Sequence, residues 1–156
     1  MKSKPSPRPL RWPAEVERLR EVLVGGGASA EWTVYLVGGT VRDALLGRAS
    51  HDIDLATPGD GLRMARRVAN ALGGAFYPLD AERRVGRVVL SQPQPKGGRL
   101  LIDIARFQGP SLEADLRGRD FTVNAMAVDL AGDLQTVFVP LGGLEDLQNR
   151  RLRLCT

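Results

Sequence analysis

Asp52 and Asp54 stand two positions apart in a stretch whose neighbouring members, Ile53 and Leu55, are apolar. That alternation predicts a strand. Residues i and i+2 of a strand leave the same face, about 6–7 Å apart along the backbone at a rise of roughly 3.3 Å per residue. On a helix the same spacing would turn them to nearly opposite sides. Two carboxylates on one face repel each other unless a cation lies between them. Both can reach one Mg²⁺, whose oxygen ligands sit at about 2.0–2.1 Å. A pair of such ions about 3.5–4 Å apart would activate an attacking hydroxyl and hold a leaving pyrophosphate. Taken alone, Asp-x-Asp is better read as a solvated strand edge or a turn. An EF-hand calcium loop fits poorly, because it needs Gly at its sixth position and Glu at its twelfth. Counted from Asp52, those positions are Thr57 and Arg63.

The segment just upstream strengthens the metal reading. The apolar run Val34 to Val37 leads into Gly38-Gly39 and then Thr40-Val-Arg-Asp43. Thr40 is expected to cap a short helix, with Asp43 at its third position. Glycines there let backbone N–H groups approach an anion, and the helix start adds partial positive charge. Arg42 supplies a forked donor suited to a triphosphate. Separately, Gly-Gly reads as a tight turn and Arg42 as a surface charge. Within a dozen residues of Asp-x-Asp they combine into an anion cradle beside an acidic pair. No G-x-G-x-x-G follows the strand, which argues against a dinucleotide fold.

Three ordered motifs now carry a family resemblance: Leu36-Val-Gly-Gly-Thr-Val-Arg-Asp-Ala-Leu-Leu-Gly-Arg48, Asp52-Ile-Asp54, and Arg119-Asp-Phe-Thr-Val-Asn-Ala-Met-Ala-Val-Asp129. Over roughly Val34 to Leu154 the chain resembles the head domain of class II CCA-adding enzymes and bacterial poly(A) polymerases. The resemblance implies an α+β, DNA-polymerase-β-like nucleotidyltransferase fold, a mixed sheet of about five strands flanked by helices. It implies transfer of nucleoside monophosphate from ATP or CTP to an RNA 3′ end, foremost that of tRNA, with release of pyrophosphate. By that match Asp52 and Asp54 are the catalytic residues and ligate Mg²⁺, expected as two ions. Gly38, Gly39 and Arg42 hold the triphosphate, Arg119 contacts the nucleotide, and Asp120 and Asn124 belong to the same nucleotide-binding set, shaping its loop and touching the ribose. The family's motif begins with two arginines, and here the first of them is Gly118; Arg117, one step earlier, is the candidate replacement. Poly(A) synthesis, addition of only C or only A, and a non-catalytic nucleotide- or RNA-binding module are the alternatives.

Asp103 interrupts the apolar stretch Leu100 to Phe107. An ionised carboxylate in such a strand is costly unless paired or metal-facing. It is therefore either a third acidic residue of the site or the partner of Arg106, Arg42 or Arg119.

The elements that must position these residues follow from local pattern. Thr57-Pro58 with Asp60 predicts an N-cap, a proline at the first helical position and a capping-box acid. Leu62, Ala65, Val68, Ala69 and Leu72 form the apolar stripe of the helix, and Gly73-Gly74 ends it. Ala75 to Leu79 and Arg84 to Leu90 read as strands, and Gln92 to Gly98 has the composition of a hairpin loop. Ser111 opens another short helix. Val128 to Leu130 and Gln135 to Val139 suggest a small hairpin, Leu144 to Asn149 a helix, and Arg151 to Leu154 a closing strand.

A chain of 156 residues that is 43% hydrophobic can bury one real core. Residues 1–13, proline-rich and basic, are expected to be a disordered lead-in, and 14–156 the head domain. In the resembling family a helical neck that selects the base begins soon after the Leu-Arg-Leu strand, so neck, body and tail are expected to lie outside this chain. No signal-peptide pattern and no 18-residue apolar run occurs, so a cytoplasmic protein without a membrane partner is expected. The single cysteine, Cys155, excludes an intramolecular disulfide and a cysteine-based zinc cluster. A net charge of +4 suits a polyanionic partner. Arg63, Arg66 and Arg67, with Arg83, Arg84 and Arg87, are candidates for an RNA path or for ordinary solvated faces. His51 tempts a general-base assignment, but metal activation makes such a base unnecessary.

Overall fold

The computed structural model describes residues 2–25, 33–92 and 97–156. The alternation at the acidic pair is realised as a strand, β3, over Asp52–Thr57. Ile53 and Leu55 point into the main core, while Asp52 and Asp54 stand on the other face. In chain order the remaining strands are β1 (Ser3–Pro5), β2 (Tyr35–Val37), β4 (Ala75–Asp80), β5 (Val85–Ser91), β6 (Arg99–Arg106), β7 (Ala127–Asp129) and β8 (Thr136–Phe138). The helices are α1 (Glu15–Leu23), α2 (Gly39–Leu45), α3 (Gly61–Leu72), α4 (Leu112–Arg117) and α5 (Gly143–Gln148), with a 3-10 turn at Thr122–Asn124.

Among the described residues the eight strands form one sheet in the order β1-β8-β7-β2-β3-β6-β5-β4. The β3–β6 pair is parallel, and the other neighbours run antiparallel. The expected mixed α+β architecture is present, but about five strands becomes eight. The β7–β8 hairpin continues the same sheet beyond β2, and β1 adds to the edge of β8. The stretch expected to close as a strand at Arg151 to Leu154 makes only a bridge between Phe121 and Leu154.

The lead-in expected to be disordered over residues 1–13 is instead docked on the sheet from residue 2 onward. Ser3, Lys4 and Pro5 pair with Phe138, Val137 and Thr136. Leu10 is buried, its N–H donating to Gln135 Oε1 at 2.7 Å, and Trp12 Nε1 donates to the Leu134 carbonyl at 3.0 Å. Composition missed this because a proline-rich segment needs only an unpaired sheet edge and two apolar anchors to dock, and an edge strand tolerates proline.

Helices α1, α2 and α3 cover the Ile53/Leu55 face, and Leu19, Leu23, Val41, Met64, Ala65 and Val68 enter that core. The first turn of α3 lies close on β6. A Cβ on Gly61 would stand 2.3 Å from the Arg84 carbonyl and 2.4 Å from that of Ile104, so only glycine permits the approach. The helix is capped by Asp60, whose carboxylate accepts from the Leu62 and Arg63 N–H groups, and not by Thr57. Thr57 completes β3, and its buried hydroxyl donates to the Thr33 carbonyl at 2.6 Å. Gly73, at φ 72°, ends α3 as expected. Of the loop read over Gln92 to Gly98, residues 93–96 lie outside the described residues.

A smaller apolar cluster of Val37, Ala56, Leu112, Leu116, Ala125 and Ala127 covers part of the opposite face. That cluster leaves the Asp52/Asp54 end of β3 uncovered.

Candidate active site

Strand β2 ends at Val37, and the chain turns through Gly38 at φ 62° and ψ −136° into α2. That conformation is open to glycine and strained for other residues. A Cβ on Gly38 would lie 3.2 Å from Arg119 Nη1 and 3.8 Å from Asp54 Oδ2. The turn, the arginine and the second carboxylate therefore share one small space. Thr40 was expected to cap α2, but Gly38 holds the cap position. The Thr40 hydroxyl instead faces β3, accepting from the Asp54 N–H at 2.7 Å and lying 3.4 Å from the Asp52 carbonyl. It continues the β2–β3 ladder after β2 has turned away.

Arg42 packs over the same turn. Its Nη2 stands 3.1 Å from where a Gly39 Cβ would be. Its Nη1 donates to Asn124 Oδ1 at 2.8 Å, and its Nε and Nη2 both reach Asp43 Oδ1 at 3.3 Å. Arg119 Nη2 donates to Asp115 Oδ2 at 3.1 Å, while its buried Nε has no partner among the described residues. The structure thus gathers Gly38, Gly39, Arg42, Arg119, Asn124 and Asp54 around the start of α2. Asp52 projects beside Asp54 from the same face and is exposed. The Asp120 side chain is exposed, and its carbonyl accepts the Cys155 N–H at 3.0 Å; among the described residues its carboxylate has no hydrogen bond to the turn. Gly118 caps the end of α4, and Arg117 pairs with Glu113 at 3.0 Å, so the replacement arginine does not enter the site.

Asp103 lies directly opposite Asp54 in the parallel β3–β6 register. Its partner is none of the three arginines expected. Arg87, opposite it on β5, donates through Nε at 2.8 Å and Nη2 at 3.0 Å. Arg84 pairs with Asp60 and Arg83 with Asp80, so the basic stretch of the β4–β5 hairpin is engaged by carboxylates. Arg66 stacks 4.6 Å above the Phe76 ring. His51 is exposed, and its backbone carbonyl accepts from Leu101.

Burial, then the nearby Asp103, push the Asp54 carboxyl up to about 6, with Arg119 pulling the other way and Asp52 adding to the rise. Among the described residues neither Asp52 nor Asp54 has a side-chain hydrogen bond, and no three His, Cys, Asp or Glu side chains converge to cage an ion. A bare carboxylate pair at an open strand end suits Mg²⁺, which keeps waters and takes its other ligands from substrate phosphates rather than from an all-protein cage.

A family model described as the Poly A polymerase head domain matches residues 34–153. The chain belongs to that family. A CC-adding tRNA nucleotidyltransferase of Geobacter sulfurreducens is 47% identical over 122 residues, covering 78% of this chain and 27% of the relative. An A-adding tRNA nucleotidyltransferase of Deinococcus radiodurans is 44% identical over 119 residues, covering 76% and 25%. The solved complex of a CCA-adding enzyme with ATP superposes with a TM-score of 0.76 at 32% identity, over 92% of this chain and 34% of that one. The chain thus spans about a quarter of the length of these curated relatives. The head-domain fold expected from the motifs is the fold observed.

Three contributors have roles at the site that the sequence did not assign to them. Asp115 stands four residues before Arg119, a spacing that helical periodicity could have flagged. Arg87 is the one charge between Val85 and Val89, a signal that a strand face carries something polar. The role of Thr40 had no sequence signal beyond its position.

Proposed function

We propose that this chain is the catalytic head of a tRNA nucleotidyltransferase that transfers nucleoside monophosphate from CTP or ATP to the RNA 3′ end and releases pyrophosphate. The observation that carries the proposal is the placing of Asp54 beside Gly38 and Arg119, with Asp52 on the same face. Asp52 and Asp54 would hold Mg²⁺. When bound, Mg²⁺ supplies activation of the RNA 3′ hydroxyl and neutralises charge that develops on the leaving pyrophosphate. Backbone N–H groups at the Gly38-Gly39 turn and the forks of Arg42 and Arg119 would bind and orient the triphosphate. Asn124, by holding Arg42, and Asp115, by holding Arg119, keep both forks aimed before substrate arrives. Such preorganisation is where electrostatic catalysis of phosphoryl transfer resides.

The names of the relatives support a tRNA substrate, and a tRNA-processing role fits a cytoplasmic protein. No helix among the described residues is long and apolar enough to cross a membrane. The test is to incubate the protein with labelled CTP or ATP and tRNA lacking its 3′ end. Ordered incorporation of C and A supports CCA addition. C alone or A alone supports a specialist, and long A tails support poly(A) synthesis. Triphosphate binding with no incorporation into any RNA overturns the enzymatic reading in favour of a binding module.

A further inference from the structure

Tyr77, Arg87, Asp103 and Asp54 lie in register across four neighbouring strands, so the row runs from the β4 edge straight into the candidate active site. Within it Asp103 is as close in register to Asp54 as adjacent strands allow, about 4.8 Å between backbones. By position it is a third carboxylate for a divalent cation. Both of its oxygens, however, are taken by one guanidinium: Oδ1 by Arg87 Nε at 2.8 Å and Oδ2 by Nη2 at 3.0 Å. The pair is bidentate and only about one-third exposed on the Arg87 side and one-quarter on the Asp103 side. Parallel forked pairing is the strongest arrangement an arginine and a carboxylate can make, and partial burial limits its screening by salt. Among the described residues Asp52 and Asp54 have no such partner.

We propose that Arg87 is a positioning residue that withdraws Asp103 from the acidic row, so that a divalent cation is held by two carboxylates and not three. This rests on the metal-binding reading of Asp52 and Asp54. The fixed guanidinium does two things at once. It supplies a permanent positive charge that offsets one of three clustered negative charges before any cation arrives. It also keeps Asp103 from completing a protein cage, leaving coordination positions for triphosphate and RNA oxygens, as Mg²⁺ sites in phosphoryl transfer require.

The experiment is titration of the 156-residue chain with Mn²⁺, a paramagnetic stand-in for Mg²⁺, read by electron paramagnetic resonance of the free ion, with circular dichroism confirming that each variant is folded. Loss of binding in Asp54→Asn establishes that the ion sits at the acidic pair; binding indifferent to that change overturns the metal-site reading, and this inference with it. Given that dependence, Asp103→Asn is expected to bind several-fold more weakly than the parent, because the Arg87 charge is then unpaired, but far more tightly than Asp54→Asn. Arg87→Met is expected to bind about tenfold more tightly, because an unshielded third charge then faces the ion. The double variant should return to the parent value. Arg87→Lys, which keeps the charge and loses the fork, should fall between parent and Arg87→Met. Weakening in Asp103→Asn comparable to that in Asp54→Asn, or unchanged affinity in both Arg87 variants, overturns the proposal while leaving the metal site standing.

Discussion

Thr40 Oγ1 accepts the Asp54 N–H at 2.7 Å, although one residue lies in the first turn of the helix that follows the glycine turn and the other within the acidic strand. The contact is partly buried, with Thr40 itself 2% exposed. A hydroxyl here stands in for the β2 backbone, which has already left the ladder, and fixes the height of α2 relative to the carboxylates. Thr40→Val keeps the shape and removes the acceptor. It should destabilise the domain by about 1–3 kcal/mol, the cost of leaving a buried donor unsatisfied. Denaturant titration checks this, and the same variant should lose Mg²⁺-dependent ATP affinity while Thr40→Ser keeps it.

Arg42 is held by Asn124 at 2.8 Å and by Asp43, so its fork is set before a ligand binds. Arg42→Ala should weaken ATP about 10- to 100-fold, the scale of charge-assisted hydrogen bonds, and adenosine hardly at all. Asn124→Ala should show the same selectivity at smaller size, since the arginine remains but is free to rotate. Calorimetry with both ligands decides. Equal losses for ATP and adenosine would remove Arg42 from the triphosphate.

The parts of this site legible in sequence are those written in one short segment. The Asp52/Asp54 alternation, the Gly38-Gly39 turn and the Arg42 beside it each rest on local periodicity or backbone freedom, and each lies where expected. What escaped depends on register between strands far apart in the chain. Asp103 was recognised as a charge needing a partner, yet only the β5–β6 pairing reveals that Arg87 supplies it. The lead-in escaped for a related reason: its order comes from an edge offered by β8, more than 120 residues away. Thr57 looked like a cap because its side chain can serve as one, but burial at the end of β3 took the hydroxyl for Thr33.

The loop that carries Arg119 and Asn124 is anchored from behind. Thr122 Oγ1 donates to Asp146 Oδ2 at 2.6 Å, Arg153 Nε donates to the same oxygen at 3.0 Å, and the Thr122 N–H donates to the Arg153 carbonyl at 3.0 Å. Asp146 is buried at the start of α5, and the Thr122 hydroxyl and then Arg153 hold its carboxyl below the ordinary carboxylate range. Asp146→Ala leaves a buried hydroxyl and a guanidinium without their acceptor. Stability should fall by about 2–4 kcal/mol. Nucleotide affinity, measured where the variant is still folded, should fall with it through the displaced Arg119 and Asn124.

The Asp54 carboxyl, moved from 3.8 to about 6, makes the domain's stability depend on pH in a defined direction. Between those values the folded state keeps a proton that the unfolded chain has released, so raising pH through this range favours unfolding. The penalty is absent below about pH 4 and complete above about pH 6. Asp54→Asn should therefore be more stable than the parent at pH 8 by on the order of 1 kcal/mol, after allowance for partial solvent access. The gain should vanish at pH 4. Adding Mg²⁺ at pH 8 should raise the melting temperature of the parent and leave the variant where it was, because ligand binding stabilises only the state that binds. Thermal unfolding across pH 4 to 8, with and without Mg²⁺, reads all of this in one series; a variant less stable than the parent at pH 8 without the ion would mean that the buried carboxylate is already compensated by Arg119 and Arg87.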